Sequence, residues 1–598
     1  MYLHITPTKN GKFLTAVQKY RDPATGKVKE KTIKTFGYAE KYADQFEDPI
    51  AHFREVVAQM TKDQKVEMTS TTIINLRQKL DPEHDSAKNV GYFPFKQIYK
   101  ELQLDKFWKN VASQYDIEYD LNGIFQLLVY MRIIFPASKK ATFDERNRLY
   151  ESFGDFELED VYRALDIISA HDAELQKWLY DHSCTSYKRD MSISYFDCTN
   201  YYWDISKPDM DELDDDGNVL EMKYRKMGPE KNNRKDPIVE LGLLMDSSGI
   251  PLAYDLFPGN ESEKIHMLPI INRARSEYGF SRTICVADRG LNTSDNIYYL
   301  NGNNKGDQNN RDGYVYGQSV RGADAEFKAW VLNQDDYINT AIDNTNASDN
   351  TTDKGIFRHK SRIYPKKLTV HIETKDGVRT KVITVDQKQM VYYSAKYAKR
   401  MAETRNRQIA RAQDLIAHPK KYDKVAAKGA SGYVMNLSFT KDGEVIDKNL
   451  VLDVEKIQEE AKYDGYYSIV TSELNLSDEE IREIYRGLIH IEDTFKLTKS
   501  ELDTRPIFVR TNEHIEGHFS TCYTALVLIR LLEQKLGNQY PVGRILQALR
   551  EYNCLNVDQN LFIMPYTNEI LYEIGKIFGV DLTEKYKTAS DLRRLLKY

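Results

Sequence analysis

The order of short β-type runs between Ser192 and Asp288 constrains the fold more than any other feature of the chain. In chain order the segments are a strand at Ser192–Asp197, a hairpin at Pro237–Met245 and Pro251–Phe257, a helix at Ser262–Tyr278 and a strand at Thr283–Ala287. The first strand ends in Asp197, and the last leads directly to Asp288. This order predicts three strands, a helix and a fourth strand in one mixed α/β domain.

A second informative stretch, Ser477–Ser500, begins with capping-box spacing and continues with helical periodicity. Within it Tyr485, Glu492 and Lys499 recur every seven residues. At about 100° per residue, this spacing places a phenol, a carboxylate and an ammonium on one stripe of a helix. A solvated charged face gives the same pattern. The run Tyr466–Thr471 just before it is predicted to be a fifth strand.

Five strands in this order, with acids after the first and fourth strands and on the helix after the fifth, have the ribonuclease H-like arrangement. Asp197, Asp288 and Glu492 occupy the three acidic positions. Taken singly, the two aspartates are also typical of strand-end turns and helix caps. Taken together, they match the hard oxygen ligands that Mg²⁺ prefers, and two such ions activate both oxygens in phosphodiester transfer.

Four motifs carry a resemblance to a known family. They are YFDCTNYYW (Tyr195–Trp203), FPGNESE (Phe257–Glu263), ADRGLNT (Ala287–Thr293) and the segment Arg505–Leu532. With these motifs the chain resembles the DDE transposases of bacterial insertion sequences, in the branch with a YREK-type signature and a β-rich insertion before the catalytic Glu. Tyr485, Glu492 and Lys499 match that signature, whereas Leu488 stands where the signature has Arg.

The resemblance implies an enzyme that cleaves DNA at the ends of an insertion sequence and joins the freed 3′-OH to target DNA. It implies Asp197, Asp288 and Glu492 as catalytic residues that bind two Mg²⁺ ions, with Mn²⁺ as a substitute. The partners implied are double-stranded DNA, as terminal inverted repeats and target, and a second subunit in a homodimeric DNA complex. Contact with DNA is expected from Tyr485, Lys499, Arg289 and Arg486, the last as a neighbour of the missing signature Arg.

Two charged runs lie between the first two motifs. The basic segment Lys223–Lys235 is interpreted as a mobile loop that clamps the DNA backbone through Lys226, Lys231 and Arg234, although solvation alone also explains it. The acidic run Asp209–Asp216 lacks an EF-hand ligand register and is interpreted as a solvated loop.

The predicted architecture is a ribonuclease H-like core interrupted by a β-rich insertion domain, preceded by a β-ribbon and a helical region. The interruption follows from the roughly two hundred residues between Asp288 and Glu492, too many for a loop. The predicted domains are a basic β-ribbon with DNA contact (1–60), a helical end-recognition domain (61–188), the first core part (189–300), the insertion (301–462), the second core part (463–535) and a C-terminal helical region (536–598).

Composition limits the alternatives. The 598 residues are 41% hydrophobic, without a membrane-spanning apolar run, so several soluble domains and no membrane partner are expected. Five scattered cysteines, never in CxxC spacing, indicate neither a disulfide framework nor a zinc site. The first residues lack a signal-peptide core, and a protein of the bacterial cytosol or nucleoid is predicted.

Two other functions fit the same residues. A nuclease with the same fold would hydrolyse nucleic acid without joining it, and strand-transfer products would distinguish the two. An inactive DNA-binding regulator derived from a transposase is the third possibility. Leu488 favours it, whereas the three intact acids argue against it.

Overall fold

The computed structural model describes residues 1–21, 28–46, 48–66, 87–229, 236–279, 282–301, 312–341, 356–374, 377–418, 429–436, 450–558 and 560–597. The chain forms two compact units, Met1–Leu80 and Asp81–Tyr598. Helices and sheets are both extensive, so the mixed α/β prediction is confirmed. In the ranges given above, no helix is long and apolar enough to cross a membrane.

The first unit contains a three-stranded antiparallel sheet and a helix. Its elements are β1 (Tyr2–Thr8), β2 (Gly11–Arg21), β3 (Val28–Tyr38) and α1 (Pro49–Val66). β2 pairs with both neighbours, and a two-residue turn joins it to β1. Leu14, Ala39 and Phe53 form its small core. The predicted β-ribbon is therefore present, while its contact with DNA stays a prediction.

The second unit is larger and contains several sheets. Its strands are β4 (Ala87–Asn89), β5 (Ile193–Tyr202), β6 (Glu212–Leu213), β7 (Val219–Glu221), β8 (Ile238–Asp246), β9 (Pro251–Pro258), β10 (Ile284–Ala287), β11 (Gly313–Gln318), β12 (Ile338–Ala341), β13 (Ile356–Thr374), β14 (Gly377–Tyr393), β15 (Val434–Asn436), β16 (Leu450–Leu452), β17 (Tyr466–Thr471), β18 (Asn553–Asp558), β19 (Leu561–Ile563) and β20 (Tyr586–Thr588).

Helices surround these sheets. They are α2 (Phe93–Glu101), α3 (Leu104–Ala112), α4 (Leu121–Ile134), α5 (Lys139–Asp144), α6 (Leu158–Ala170), α7 (Asp172–Ser186), α8 (Glu263–Tyr278), α9 (Ser294–Leu300), α10 (Ala325–Leu332), α11 (Ala395–Ala417), α12 (Val454–Ala461), α13 (Asp478–Arg486), α14 (Leu488–Ser500), α15 (Asn512–Lys535), α16 (Val542–Glu551), α17 (Glu569–Ile577) and α18 (Ala589–Lys597).

The central sheet has the strand order β12-β13-β14-β17-β11-β10-β5-β8-β9. β5, β10 and β11 are parallel, and β8 and β9 form the antiparallel hairpin at one end. The two faces of β5 belong to different cores because side chains alternate along a strand. Tyr195 and Tyr201 belong to the core that includes α4 and α15, whereas Phe196 and Cys198 belong to the core that includes α8.

The predicted order of three strands, a helix and a fourth strand is confirmed by β5, β8, β9, α8 and β10. The strand predicted at Tyr466–Thr471 is present as β17, but it is not the neighbour of β10. The neighbour of β10 is β11, while Tyr466–Thr471 lies one position further and runs antiparallel to β11. Both segments are short apolar runs, and such a run does not encode its partner.

The segment between β10 and α14 extends the central sheet. β13 and β14 form a long hairpin, and β14 pairs with β17. Without this pairing, β17 would present an open edge of the sheet. The β-rich character of the segment is as predicted, but its strands are continuous with the core sheet. The domain boundaries themselves stay predictions.

The helical region Phe93–Lys188 forms as predicted and packs around α15, which is buried along most of its length. The C-terminal region contains α16, α17 and α18 together with a four-stranded sheet, in the order β20-β19-β18-β4. Since β4 precedes the helical region in the chain, this sheet connects the two ends of the second unit. α15 and the helical region thus support the sheet face that carries Tyr195.

Candidate active site

Asp197 lies in the middle of β5, on the face that contacts the helices. Between its two end residues, β5 is buried at every position apart from Asp197, which is half-buried. The prediction that the strand ends at Asp197 was wrong, because β5 continues to Tyr202 in register with β8. The aspartate is therefore held on a rigid strand, with solvent access at this one point.

Asp288 directly follows β10, the parallel neighbour of β5. The last residues paired between the two strands are Val286 and Tyr195. Asp288 and Asp197 each come two residues after this pair. Their side chains therefore lie on the same face of the sheet as those of Val286 and Tyr195. Neighbouring strands lie about 4.8 Å apart. The register therefore brings Asp197 and Asp288 to the same level of the sheet, where Asp288 is exposed.

The predicted helix Ser477–Ser500 is two helices, α13 and α14, separated at Gly487. Its start is confirmed, since Ser477 and Glu480 form a capping box. The break adjoins Tyr195, whose hydroxyl donates to the carbonyl of Ile484 at 3.2 Å. A Cβ on Gly487 would lie 1.8 Å from that hydroxyl oxygen, so only glycine fits here. The proposed single stripe is thus divided between two helices.

Two contacts place α14 along β5. Tyr195 touches the break before α14, and Lys499 near the end of α14 donates to the hydroxyl of Thr199. Gly487 and Lys499 are twelve residues apart, or about 18 Å of helix, while Tyr195 and Thr199 span about 13 Å of strand. Asp197 lies midway between the two contacts on β5, and Glu492 lies near the middle of α14.

The electrostatics link Glu492 to Asp288. Partial desolvation raises the pKa of Glu492 above its usual value, and the negative charges of Asp288 and Asp493 raise it further. The hydroxyl of Tyr485 donates to Asp288 Oδ1 at 3.3 Å. Burial raises the pKa of Tyr485 well above its usual value, as does the charge of Asp288, so this phenol stays protonated. Asp288 and Glu492 are therefore close enough for the charge of Asp288 to act on Glu492.

A divalent cation fits the donor chemistry of this region, because carboxylates on rigid elements are the ligands that Mg²⁺ prefers. In the part of the chain that the structure describes, however, three His, Cys, Asp or Glu side chains are nowhere grouped closely enough to hold a metal ion. The register and charge of the acids support a cation site there, and its ligand set stays a prediction.

An open groove begins at Asp288. Arg289 and Tyr485 line it together with the aspartate, as do tyrosines of α11 and β17. Among these, Tyr397 and Tyr467 stack with ring centroids 3.9 Å apart. A cation and stacked aromatic rings beside the acids are suited to a nucleic-acid strand, since phosphates pair with Arg and bases stack on rings.

The other predicted DNA-binding residues have different environments. Arg486 pairs with Glu483 at 2.9 Å, and Leu488 packs against the core at the start of α14. Lys226 pairs with Asp211 at 2.6 Å, so the prediction of a DNA clamp is not supported at this residue. Lys231 and Arg234 lie outside the described residues.

Sequence reasoning missed Tyr195 and Thr199, the two β5 residues that position α13 and α14. Both lie two positions from Asp197, so strand alternation alone could have indicated that they share its face. It could not indicate that Tyr195 meets a glycine at a helix break, because that contact joins residues far apart in the chain.

Comparison with known proteins adds one family match. Residues 3–71 match the model of the N-terminal domain of IS1634 family transposases. Among solved structures, the Mos1 transposase paired-end complex with the left transposon end has 11% identity and a TM-score of 0.11, and the match covers 42% of this chain and 67% of that chain. The Mos1 mariner paired-end complex with Mn has 14% identity and a TM-score of 0.11, with 42% and 66% covered.

These TM-scores are too low to support a structural argument. No curated protein sequence matches the chain. The family match at residues 3–71 supports a transposase.

Proposed function

We propose that this protein is a transposase that cleaves DNA at the ends of an insertion sequence and joins the freed 3′-OH to target DNA by a two-metal DDE mechanism. The observation that carries the proposal is the placement of the acids. Asp197 on β5 and Asp288 just after the parallel strand β10 lie at the same level of the sheet, and the charge of Asp288 raises the pKa of Glu492 on the helix that runs along β5.

The sheet supports a ribonuclease H-like core for this proposal. Counting β5 as the first strand, the order from β9 to β11 is third, second, first, fourth, fifth. The first strand is therefore central, and the hairpin β8–β9 lies on one side of it. The first and fourth strands are neighbours in this order. An acid in the first strand and an acid just after the fourth therefore lie close together.

Asp197, Asp288 and Glu492 are the residues that would hold the two Mg²⁺ ions, with Mn²⁺ as a substitute. When bound, the ions would activate the attacking oxygen and stabilise the leaving oxygen. Strand β5, the end of β10 and helix α14 carry these carboxylates. The binding of DNA would position the scissile phosphate against these groups, and such positioning is a large part of catalysis.

Nearby side chains of the chain have complementary roles. Tyr485 orients Asp288 through its hydrogen bond, and Lys499 is held near β5 by Thr199. As a cation near the acids, Lys499 would pair with a DNA phosphate, as would Arg289 at the groove. The substrates proposed are terminal inverted repeats and target DNA, bound by a homodimer in the bacterial cytosol or nucleoid.

The direct test uses purified protein and a duplex from the ends flanking its own gene, with Mg²⁺ or Mn²⁺. We expect metal-dependent nicks at the repeat boundary and joined products, both absent with Asp288→Ala. Cutting without joining would instead identify a hydrolytic nuclease. Binding without cutting would identify an inactive relative, and Leu488→Arg would then show whether the missing signature Arg is the reason.

Tyr485→Phe is expected to slow DNA cleavage by about tenfold, because it removes one hydrogen bond to an ionised carboxylate, worth about 1.4 kcal/mol. DNA affinity should stay within about twofold, since the phenyl ring retains the packing. Tyr298→Phe, at a half-buried tyrosine of α9, is the matched control. Single-turnover cleavage rates measure the effect, and an unchanged rate for Tyr485→Phe would refute the positioning role.

A further inference from the structure

The open groove at Asp288 continues onto helix α11. Tyr397 and Met401, on successive turns near the start of α11, both line the groove. Arg400 lies between them in the chain and is exposed. Burial raises the pKa of Tyr467 in the groove, and the charge of Arg400 acts on that pKa in the opposite direction. A cation of α11 is therefore close to the wall of the groove.

Two further arginines continue from this position along the helix. Counted from Tyr397, Arg400, Arg407 and Arg411 follow after three, ten and fourteen residues. At about 100° per residue, these spacings keep all four side chains within about 80° of one another around the helix axis. All three arginines are exposed. These three side chains, the arginine stripe, span about 16 Å of helix at ~1.5 Å per residue.

A different face of α11 is anchored to the rest of the unit, and this fixes the direction of the arginine stripe. Arg405 pairs with Asp464, just before β17, at 2.5 Å. Ala412 is buried in a small core with residues of β15 and β16. Both anchoring positions lie about 60–80° from Tyr397 around the axis, on the side away from the stripe. The stripe therefore faces solvent on a helix that is held in place.

The charge of the arginine stripe is not neutralised by the described residues around it. Among these residues, no carboxylate forms an ion pair with Arg400, Arg407 or Arg411, and Arg407 donates to the hydroxyl of Thr404 at 3.3 Å. Over its whole length α11 contains six cations and two carboxylates, a net charge of +4, in a chain whose net charge is −6. Unpaired arginines on one line are complementary to a polyanion.

We infer that the arginine stripe binds the backbone of the DNA strand that leaves the Asp288 groove, through phosphates and without reading the base sequence. The inference rests on the proposed function and adds the route of the DNA away from the acids. Guanidinium groups pair with phosphates through charge-assisted hydrogen bonds, and such contacts fix the position of DNA without sequence information. The length of the stripe corresponds to about five base steps of ~3.4 Å.

Continuity with the groove favours DNA over an acidic protein as the ligand. An acidic protein surface would satisfy the charge of the arginine stripe, but it would make no use of the ring-lined groove from which the stripe continues. In a DNA strand, bases stack on aromatic rings while the following phosphates pair with cations. The stacked rings of Tyr397 and Tyr467 and the arginines of α11 provide these two kinds of contact in that order.

The test measures the DNA affinity of the full chain against sodium chloride concentration, with the end duplex and with a scrambled duplex of the same length. We expect Arg400→Gln/Arg407→Gln/Arg411→Gln to weaken binding at least tenfold at roughly 0.1 M salt. The slope of log K against log salt concentration should fall by about 2–3 with both duplexes, because three phosphate contacts are lost. The corresponding triple Arg→Lys variant should keep most of the slope, since it keeps the charges.

Lys399→Gln is the matched control for Arg407→Gln. Lys399 is exposed on the same helix, but it lies about 100° from the middle of the arginine stripe. Arg407→Gln should lower the salt slope by about 1, and Lys399→Gln by less than about 0.3. Glutamine has nearly the helix propensity of the residues it replaces, and thermal unfolding checks that all variants are folded.

Two shortened end duplexes locate the contact, since each lacks the DNA on one side of the repeat boundary. With one of them, the triple Gln variant should bind within about twofold of the wild type, because the phosphates of the stripe are gone. With the other, the difference should persist. Its persistence with both duplexes, or equal effects of Lys399→Gln and Arg407→Gln, would overturn the inference in favour of diffuse charge.

Two other outcomes separate the inference from the proposed function. Weaker self-association of the triple Gln variant, with unchanged DNA affinity, would overturn the inference in favour of an acidic protein surface. A reduced salt slope in that variant, together with a wild type that neither prefers nor cleaves the end duplex, would refute only the proposed function.

Discussion

Glu492→Gln is expected to reduce the rate of DNA cleavage by roughly 10³-fold, about 4 kcal/mol, whereas Asp493→Asn should reduce it by less than about threefold. Glutamine keeps the size and hydrogen-bonding atoms of the side chain but loses the charge that would hold a cation. Asp493 is the matched control because it is an exposed acid next to Glu492 on the same helix. Asp493 also adds negative charge near Glu492. Its side chain, however, leaves the helix in a direction about 100° around the axis from that of Glu492.

A measurement of stability distinguishes a loss of cleavage activity in Glu492→Gln from misfolding of the variant. The folded state raises the pKa of Glu492, so folded protein binds a proton at this site more tightly than unfolded protein does. Stability contributed by this group therefore falls as pH rises from the usual glutamate value through the raised value. Glu492→Gln should consequently be at least as stable as the wild type at pH 7, and that difference should vanish near pH 4. Thermal unfolding at both pH values measures it.

Cation binding can be followed without activity. Mg²⁺ that binds the folded state raises the melting temperature by mass action. We expect this shift in the wild type and in Asp493→Asn, and a smaller one in Glu492→Gln. If both variants lost the shift equally, general charge on α14 rather than a specific ligand would explain it. Equal loss of cleavage by both variants would likewise refute the assignment of Glu492.

The sequence predicted the elements around the site better than their arrangement. β5, the hairpin β8–β9, α8 and β10 were all indicated by local patterns of apolar residues and turns. The choice of β11 as the neighbour of β10 depends on pairing between segments far apart in the chain, which such patterns do not encode. The same limit explains why Asp197 was placed at the end of a strand that continues to Tyr202.

The ion pair between Lys226 and Asp211 could not be predicted from the sequence for a related reason. Lys226 and Asp211 stand fifteen residues apart, and each belongs to a run of like charge that has a simple interpretation alone. Only the turn between β6 and β7 brings the runs together. The assignment of Asp288 and Glu492 stays a prediction, and it needed no such partner, because a strand end and a position on a helix define these two residues.

The break in the predicted helix shows how a single contact can escape sequence analysis and yet control the site. Helical periodicity continues across Gly487, and glycine costs only about 1 kcal/mol in a helix, so the pattern predicts one element. The structure has two, and at the break between them Tyr195 occupies the space that a side chain would need. Tyr485 therefore lies on α13 and Glu492 on α14, on either side of the break.

Gly487→Ala is accordingly expected to destabilise the protein by about 2 kcal/mol and to slow DNA cleavage by about 10²-fold. The added Cβ would lie 1.8 Å from the Tyr195 hydroxyl oxygen and 2.2 Å from its Cζ atom. Tyr195 is 4% exposed and cannot leave without opening the core, so the junction of α13 and α14 must move instead. That movement would displace Tyr485 from Asp288 and shift Glu492.

Gly543→Ala near the start of α16 is the matched control. Its Cβ would lie 3.5 Å from Glu501 Oε1, an ordinary contact, so a neutral or slightly stabilising effect is expected. A double-mutant cycle in urea tests the cause. In a Tyr195→Ala background, where the obstructing ring is gone, Gly487→Ala should cost less than about 1 kcal/mol. If Gly487→Ala were as harmless as Gly543→Ala in the wild type, contact with Tyr195 would not determine the helix break, and the direction of Glu492 would need another cause.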